Sequence, residues 1–390
     1  MISLLLLFSL VGTDNLSLKT VIESGTPPPA NYIFTDANHN GKNEIYLPWH
    51  DDSTPYRNGT AIWERENDSL YLLIIKIRSD MDYTYLGEIC GGLSLDGDSL
   101  TDLVLGLYDS GGNNIGFYVY ESPSYDSFPT ESVWADTTRP LPNPWDAYIT
   151  DLDQDGKKEI FLRARSDLNT STRIYECTGD NEYALVYCAP PPVDDYVGGM
   201  CWGDWDLDGK MEFAYGSVHG GIFVYENTGV GIDDYQLVWA DSVDDVNAYK
   251  AASGGDMDGD GKPEFVIGGM SLWFGVWYYV FEATGDNSYA NIHRIVHHWE
   301  YSSTRLLSYS DVRIGDMDDD SIPEMLITRY NAIEIWKAME DNVFRKIIYY
   351  GLPRAVNEWW DGLKGGIYDL NGNGYGEVVV GGTRYDPDGN

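Results

Sequence analysis

Short apolar runs rich in β-branched and aromatic residues recur along the chain, each directly after an acidic nine-residue segment. The runs are EIYLPW from Glu44, DLVLGL from Asp102, EIFLRA from Glu159, EFAYGS from Glu212, EFVIGG from Glu264, EMLITR from Glu324 and EVVVGG from Glu377. Runs of this length and composition predict strands. A Gly- or aromatic-containing apolar stretch also precedes each segment, as in YIFTD, GGMCWGD and GGIYD, so the segment predicts a loop joining two strands. An Asp-rich loop that opened a helix would instead be followed by apolar residues at i, i+3 and i+4.

A second element recurs in the first six units: IWERE at Ile62, YVYES at Tyr118, IYECTGDN at Ile174, FVYENTG at Phe223, YVFEATGDN at Tyr279 and IEIWKAMEDN at Ile333. In the first five a bulky aromatic followed by Glu closes a strand, whereas the sixth has Lys337 after its Trp. Thr-Gly-Asp-Asn signals a hairpin turn, and a further strand follows, as in YALVY or YQLVWA. The acidic segments start 58, 57, 53, 52, 60 and 53 residues apart. Four short strands at that period predict an all-β fold, a seven-bladed β-propeller with four-stranded blades.

The seventh unit stops 21 residues after Asp369, before its third strand. LSLKTVIE (Leu16–Glu23) stands where a fourth strand should stand relative to Asp36, and LLFSLVGTDN where a third strand and its turn belong. The N-terminal segment is therefore expected to close the last blade and remove an exposed edge. Residues 1–12 also resemble the apolar region of a secretory signal, although no Lys or Arg precedes the run and no A-x-A site follows. Both readings stand, the signal slightly ahead, with 13–390 as a single propeller domain. The run is too short to span a bilayer, and no transmembrane segment is expected.

Composition narrows the partners. The net charge is -38, from 63 acidic and 25 basic residues, so nucleic acid is not an expected partner. The acid sits in periodic clusters rather than in a tail. Cys90, Cys177, Cys188 and Cys201 include no CxxC pair, and a turn at Thr178–Asn181 would not set Cys177 opposite Cys188.

The acidic segments have the chemistry of a calcium loop. Their positions 1, 3, 5 and 9 are Asp36, Asn38, Asn40 and Glu44; Ser94, Asp96, Asp98 and Asp102; Asp151, Asp153, Asp155 and Glu159; Asp204, Asp206, Asp208 and Glu212; Asp256, Asp258, Asp260 and Glu264; Asp316, Asp318, Asp320 and Glu324; and Asp369, Asn371, Asn373 and Glu377. Calcium takes six to eight oxygens, which alternate side chains of a tight loop can supply. Position 6 is Gly in five copies, suiting a sharp turn, and position 7 varies as expected if only its carbonyl is used. Ordinary turn chemistry would explain one or two such clusters but not an acid at position 9 in all seven. Carboxylates packed so closely repel without a cation. Up to seven calcium ions are expected, most strongly at the loops from Asp151, Asp204, Asp256 and Asp316. The loops from Asp36, Ser94 and Asp369 should bind more weakly. Magnesium, which prefers a water-rich octahedral shell, fits less well.

These loops follow D-x-D-x-D-G-x-x-[DE], and over nearly the whole chain the sequence resembles the FG-GAP/VCBS repeat family of integrin α-chain heads and bacterial surface proteins. The resemblance implies structural calcium between the first two strands of a blade. Glu rather than Asp at position 9 departs from the integrin-like pattern, and integrin ligand recognition does not carry over.

No nucleophile elbow, P-loop or dinucleotide fingerprint occurs. His293 and His297 stand four apart in a fourth-strand segment, where helical zinc spacing does not apply. Trp145, Trp202, Trp205, Trp273, Trp277, Trp359 and Trp360 lie near strand ends and suit blade packing more than stacking on a ligand. The leading expectation is a secreted or cell-surface, non-catalytic binding or adhesion scaffold, monomeric and calcium-stabilised, with a protein or glycan ligand at a propeller face. The rival is a carbohydrate-active enzyme, such as a polysaccharide lyase, with His, Arg, Lys and Tyr converging on one channel mouth.

Overall fold

A computed structural model describes residues 2–11, 15–24, 33–51, 57–67, 70–78, 85–108, 114–138, 144–164, 172–189, 197–243, 247–271, 275–298, 311–329, 331–353 and 359–385. These form seven four-stranded antiparallel sheets, the blades of a β-propeller. Blades I to VI span 33–78, 85–136, 144–189, 197–242, 247–298 and 311–351, each with its strands in chain order. Blade VII takes its first and second strands from Trp359–Tyr368 and Glu377–Tyr385, its third from Ile2–Val11 and its fourth from Asn15–Ser24. Of the two readings of the apolar N-terminus, the strand is what the structure contains. Ile2–Val11 pairs on both sides, Leu4 with Glu23 and Gly382, and its Leu5, Leu6, Leu7 and Phe8 are buried. No described helix is long and apolar enough to cross a membrane.

The burial of each strand follows its place in the blade. Second and third strands are covered by neighbouring blades on both faces: Glu212–Ser217 is buried throughout and Gly221–Asn227 nearly so. That double burial explains why their sequences read as continuous apolar runs. The outermost strand of the same blade, Tyr235–Ser242, is mostly exposed beyond Tyr235.

First strands of adjacent blades meet around the axis, where space is least. A Cβ on Gly254 would lie 1.9 Å from Cγ2 of Ile314 in the next blade, and one on Gly315 would lie 3.0 Å from Cβ of Ile367. This convergence accounts for the glycines preceding the acidic loops.

Seven apolar clusters fill the spaces between blades. Between blades IV and V, Trp205 lies against Phe265 at 4.3 Å between centroids, and Phe281 and Tyr289 complete the aromatic stack. None of the four cysteines is in a disulfide; Cys177 is opposite Tyr183 and Cys188 opposite Arg173, as the turn position predicts.

Candidate metal centres

Each acidic loop is anchored by an apolar residue and folded by its own side chains. Position 2 is Ala37, Leu95, Leu152, Trp205, Met257, Met317 or Leu370, and each is buried in the core shared with the next blade. Its backbone N–H donates to one carboxylate oxygen of position 9 in every loop, at 2.5 to 2.9 Å. The position 1 side chain accepts the N–H of position 6, and position 5 accepts that of position 7, as Asp204 and Asp208 do from Gly209 and Lys210. The alternate oxygens thereby turn inward. Positions 4 and 6 are left-handed in all seven loops, including Ser99 at φ 78° and Ser321 at φ 67°, where glycine would be less strained.

The second oxygen of position 9 distinguishes the loops. Glu44 Oε1, Asp102 Oδ1, Glu159 Oε1, Glu212 Oε1 and Glu264 Oε1 are buried and accept no hydrogen bond. Asp151 Oδ1 and Asp204 Oδ1 are in the same state. Burial, reinforced by neighbouring carboxylates, pushes Asp102 up to about 7, Glu44, Glu159 and Glu264 up to about 8, and Glu212 up to about 9. In the loops from Asp151, Asp204 and Asp256, oxygens of positions 1, 3, 5 and 9 lie within 4.8 Å of one another. In the loop from Ser94 the group is Asp96, Asp98, Glu121 and Asp180, and the Ser94 hydroxyl contacts Asp96 and Asp98.

Glu121 belongs to a set of candidate ligands that the sequence pattern does not identify. The glutamate closing the third strand stands directly opposite position 9: Glu44 faces Glu64, Asp102 faces Glu121, Glu159 faces Glu176, Glu212 faces Glu226 and Glu264 faces Glu282. Like charges directly opposite on a sheet are destabilising, and all ten of these groups are buried. Position 7 is also less indifferent than expected. The ammonium of Lys42, Lys157, Lys210 or Lys262 reaches the third-strand glutamate, as Lys210 does between Asp208 at 2.7 Å and Glu226 at 3.0 Å. These lysines leave the position 9 orphan oxygen unpaired.

The loops from Asp36, Asp316 and Asp369 differ. Asn38 and Asn40 donate their amides to Glu64, and Asn371 donates to the second oxygen of Glu377. In the sixth loop Lys337 reaches Asp318, Asp320 and Glu324.

The loops also tie blade to blade. The hairpin turn between a blade's third and fourth strands docks on the preceding loop: the backbone N–H groups of Asn181, Asn287 and Asn342 donate to position 3 carboxylates Asp96, Asp206 and Asp258 at 3.0, 2.7 and 2.6 Å. The Thr-Gly-Asp-Asn signal thus marks an inter-blade joint as well as a turn.

His293 and His297 do not share a site. His293 packs on Phe344, whereas His297 reaches Glu334, a buried carboxylate that also meets Arg329 and Lys346 and accepts from Trp336 Nε1. Burial would raise Glu334, but the His297 and Arg329 interactions hold it down to about 2. This group, with Tyr349 beside it, lies on the third and fourth strands of blades V and VI, except for Arg329, which ends the second strand of blade VI. Trp205 and Trp360 are buried, and Trp202 packs on Tyr148. The Trp145, Trp273 and Trp359 side chains lie outside the described residues.

No family model and no curated protein sequence matches the chain. Solved structures do match in fold. A candidate 6-phosphogluconolactonase from Bacteroides fragilis is 8% identical, with a TM-score of 0.53 over 90% of this chain and 98% of that one. One from Bacteroides uniformis is 10% identical, with a TM-score of 0.55 over 90% and 96%. An Agrocybe aegerita lectin that recognises non-reducing terminal N-acetylglucosamine is 15% identical, with a TM-score of 0.51 over 90% and 88%. At these identities the likeness is one of fold alone.

Proposed function

We propose that the protein is a calcium-stabilised propeller of the FG-GAP/VCBS type, secreted or displayed on the cell surface, that serves as a non-catalytic binding scaffold. The observation carrying this reading is the buried, unpartnered oxygen of position 9, set against a second buried carboxylate on the third strand in five blades. A buried acceptor left unmade costs about 1–3 kcal/mol, more for a charged group, and a hard divalent cation satisfies it together with positions 1, 3 and 5. When bound, calcium would neutralise the facing pair and fasten the loop to the next blade's turn. Millimolar extracellular calcium suits loops of modest affinity.

Strand direction places the acidic loops and the docked turns on one face, so second-to-third and blade-to-blade connections emerge on the other. Trp145 and Trp359 stand at the ends of their first strands on that opposite face. That face is the proposed ligand surface, for a glycan or a protein. The enzymatic alternative has less support, because His297, Arg329, Lys346 and Tyr349 are gathered around Glu334 between blades V and VI. Thermal unfolding with calcium or EGTA tests the metal reading, and a melting temperature indifferent to both sinks it. A glycan array probed with the wild type and with Trp145→Ala and Trp359→Ala tests the binding face.

A further inference from the structure

We propose that the ammonium of Lys337 is the resident cation of the sixth loop, so that blade VI closes its acidic loop without a metal ion. The inference rests on the calcium reading of the other loops and sets a limit to it, since the loop from Asp316 has the full D-x-D-x-D pattern and by sequence ranks among the strong sites.

Three observations converge. The first is register. Met325 pairs with Trp336, which sets Lys337 against Glu324, the place where blades I to V carry Glu64, Glu121, Glu176, Glu226 and Glu282. An opposite-charge pair therefore replaces a like-charge one.

The second is reach. Nζ lies 2.9 and 2.8 Å from the two oxygens of Asp318, 2.7 Å from Asp320 Oδ2 and 2.5 Å from Glu324 Oε1. Positions 3, 5 and 9 are thus gathered on one ammonium, which has three donors to offer. The lysines at position 7 of other loops work differently, bridging position 5 to the third-strand glutamate or, for Lys42, reaching that glutamate and Glu66. Position 7 here is Ile322, so no second lysine competes for the slot.

The third is satisfaction. Glu324 is as buried as the position 9 carboxylates of blades I to V, yet its second oxygen is paired while theirs are not. A divalent ion would have to displace an amine tethered to the same blade, whose high effective concentration disfavours exchange.

The neighbourhood gives this substitution a purpose. Met317 of the sixth loop is buried with Leu4, Leu6 and Phe8 in the core joining blade VI to blade VII, and its carbonyl accepts the N–H of Gly376. The blade beside the seam between the chain's two ends is therefore held whether or not calcium is present.

The test counts calcium on the full-length protein by equilibrium dialysis and calorimetry after EGTA stripping. Lys337→Glu is expected to bind one more ion per chain than the wild type, and the converse exchange, Glu226→Lys in blade IV, one fewer. Glu324→Gln should leave the wild-type count unchanged. A loss of one ion in Glu324→Gln, or an unchanged count in Lys337→Glu with its circular dichroism intact, overturns the proposal. Lys337→Gln, melted in EGTA, provides a readout that needs no ion: a drop of several degrees supports the tethered cation, and an unchanged midpoint overturns it. A wild type that binds no calcium would fail the scaffold reading and leave that EGTA comparison to decide the role of Lys337.

Discussion

Replacing Glu212 by Gln separates the cost of the empty loop from the gain of filling it. Glu212 is fully buried, receives the Trp205 N–H at 2.8 Å, and has its second oxygen unpaired opposite Glu226. A Gln keeps the shape and the bond to Trp205, and its amide can donate into the cluster of Asp204, Asp206 and Asp208. Burial lifts the Glu212 carboxyl from 4.5 to about 9. Its stability contribution is therefore fully present below pH 4.5 and is lost as pH rises through about 9. At pH 7 the folded state must hold a proton that the unfolded chain has released, at a cost on the order of 3 kcal/mol. Glu212→Gln removes that cost, and at about 2 cal/mol/K per residue the whole ring should melt about 4 °C higher in EGTA. Calcium tells the opposite story. At one hundred times Kd a site contributes about 2.7 kcal/mol, and a tenfold weaker site only about 1.4 kcal/mol. The variant should thus melt higher in EGTA and gain less from calcium. Scanning calorimetry of both proteins, with and without calcium, reads the two shifts. An EGTA midpoint that is unchanged or lower, with an undiminished calcium increment, refutes the reasoning.

Three further outcomes follow from the packing and the buried charges. Gly254→Ala places a methyl against Ile314 at the axis and should cost about 1–3 kcal/mol in urea unfolding by overpacking, with calcium binding retained. Phe8→Ala empties a fully buried position in the closing strand and should cost about 3–5 kcal/mol, seen as a lower urea midpoint in both calcium and EGTA. Glu334 is held down to about 2 by His297 and Arg329, so its stabilisation is present above about pH 4.5 and lost as pH falls through 2. Glu334→Gln should be less stable than wild type by about 3 kcal/mol at pH 6, and urea titrations should show the gap closing toward pH 2.

Blade count, strand order and the closing role of the N-terminal residues are legible in the sequence because they depend on a repeat and on local loop chemistry. The folding of the acidic loops is legible too, because the side chains at positions 1, 5 and 9 accept hydrogen bonds from backbone within the same nine residues. The third-strand glutamates are visible in the sequence as strand ends but not as partners of position 9. Their offset from it runs from 14 to 20 residues, because connections of different length intervene, so no fixed spacing marks the pair. Lys337 breaks the aromatic–Glu pattern in the sequence, yet only the cross-strand register shows that it meets Glu324. The docking of Asn181, Asn287 and Asn342 on the preceding loop joins residues 81 to 85 positions apart, and no local signal reports such a contact.

The shared composition of blade VII has a temporal side. The strands Ile2–Val11 and Asn15–Ser24 are synthesised before blades I to VI, but their partners at 359–385 are synthesised after them. Until then Leu4 to Phe8 have no sheet to enter, and the nascent chain must carry an apolar edge strand through the assembly of six blades. Closure is the longest-range strand pairing among the described residues, so it is the step where loop-closure entropy weighs most. Misassembly should accordingly take the form of an open ring whose unpaired hairpin inserts into the seventh blade of another copy, yielding concentration-dependent oligomers during refolding.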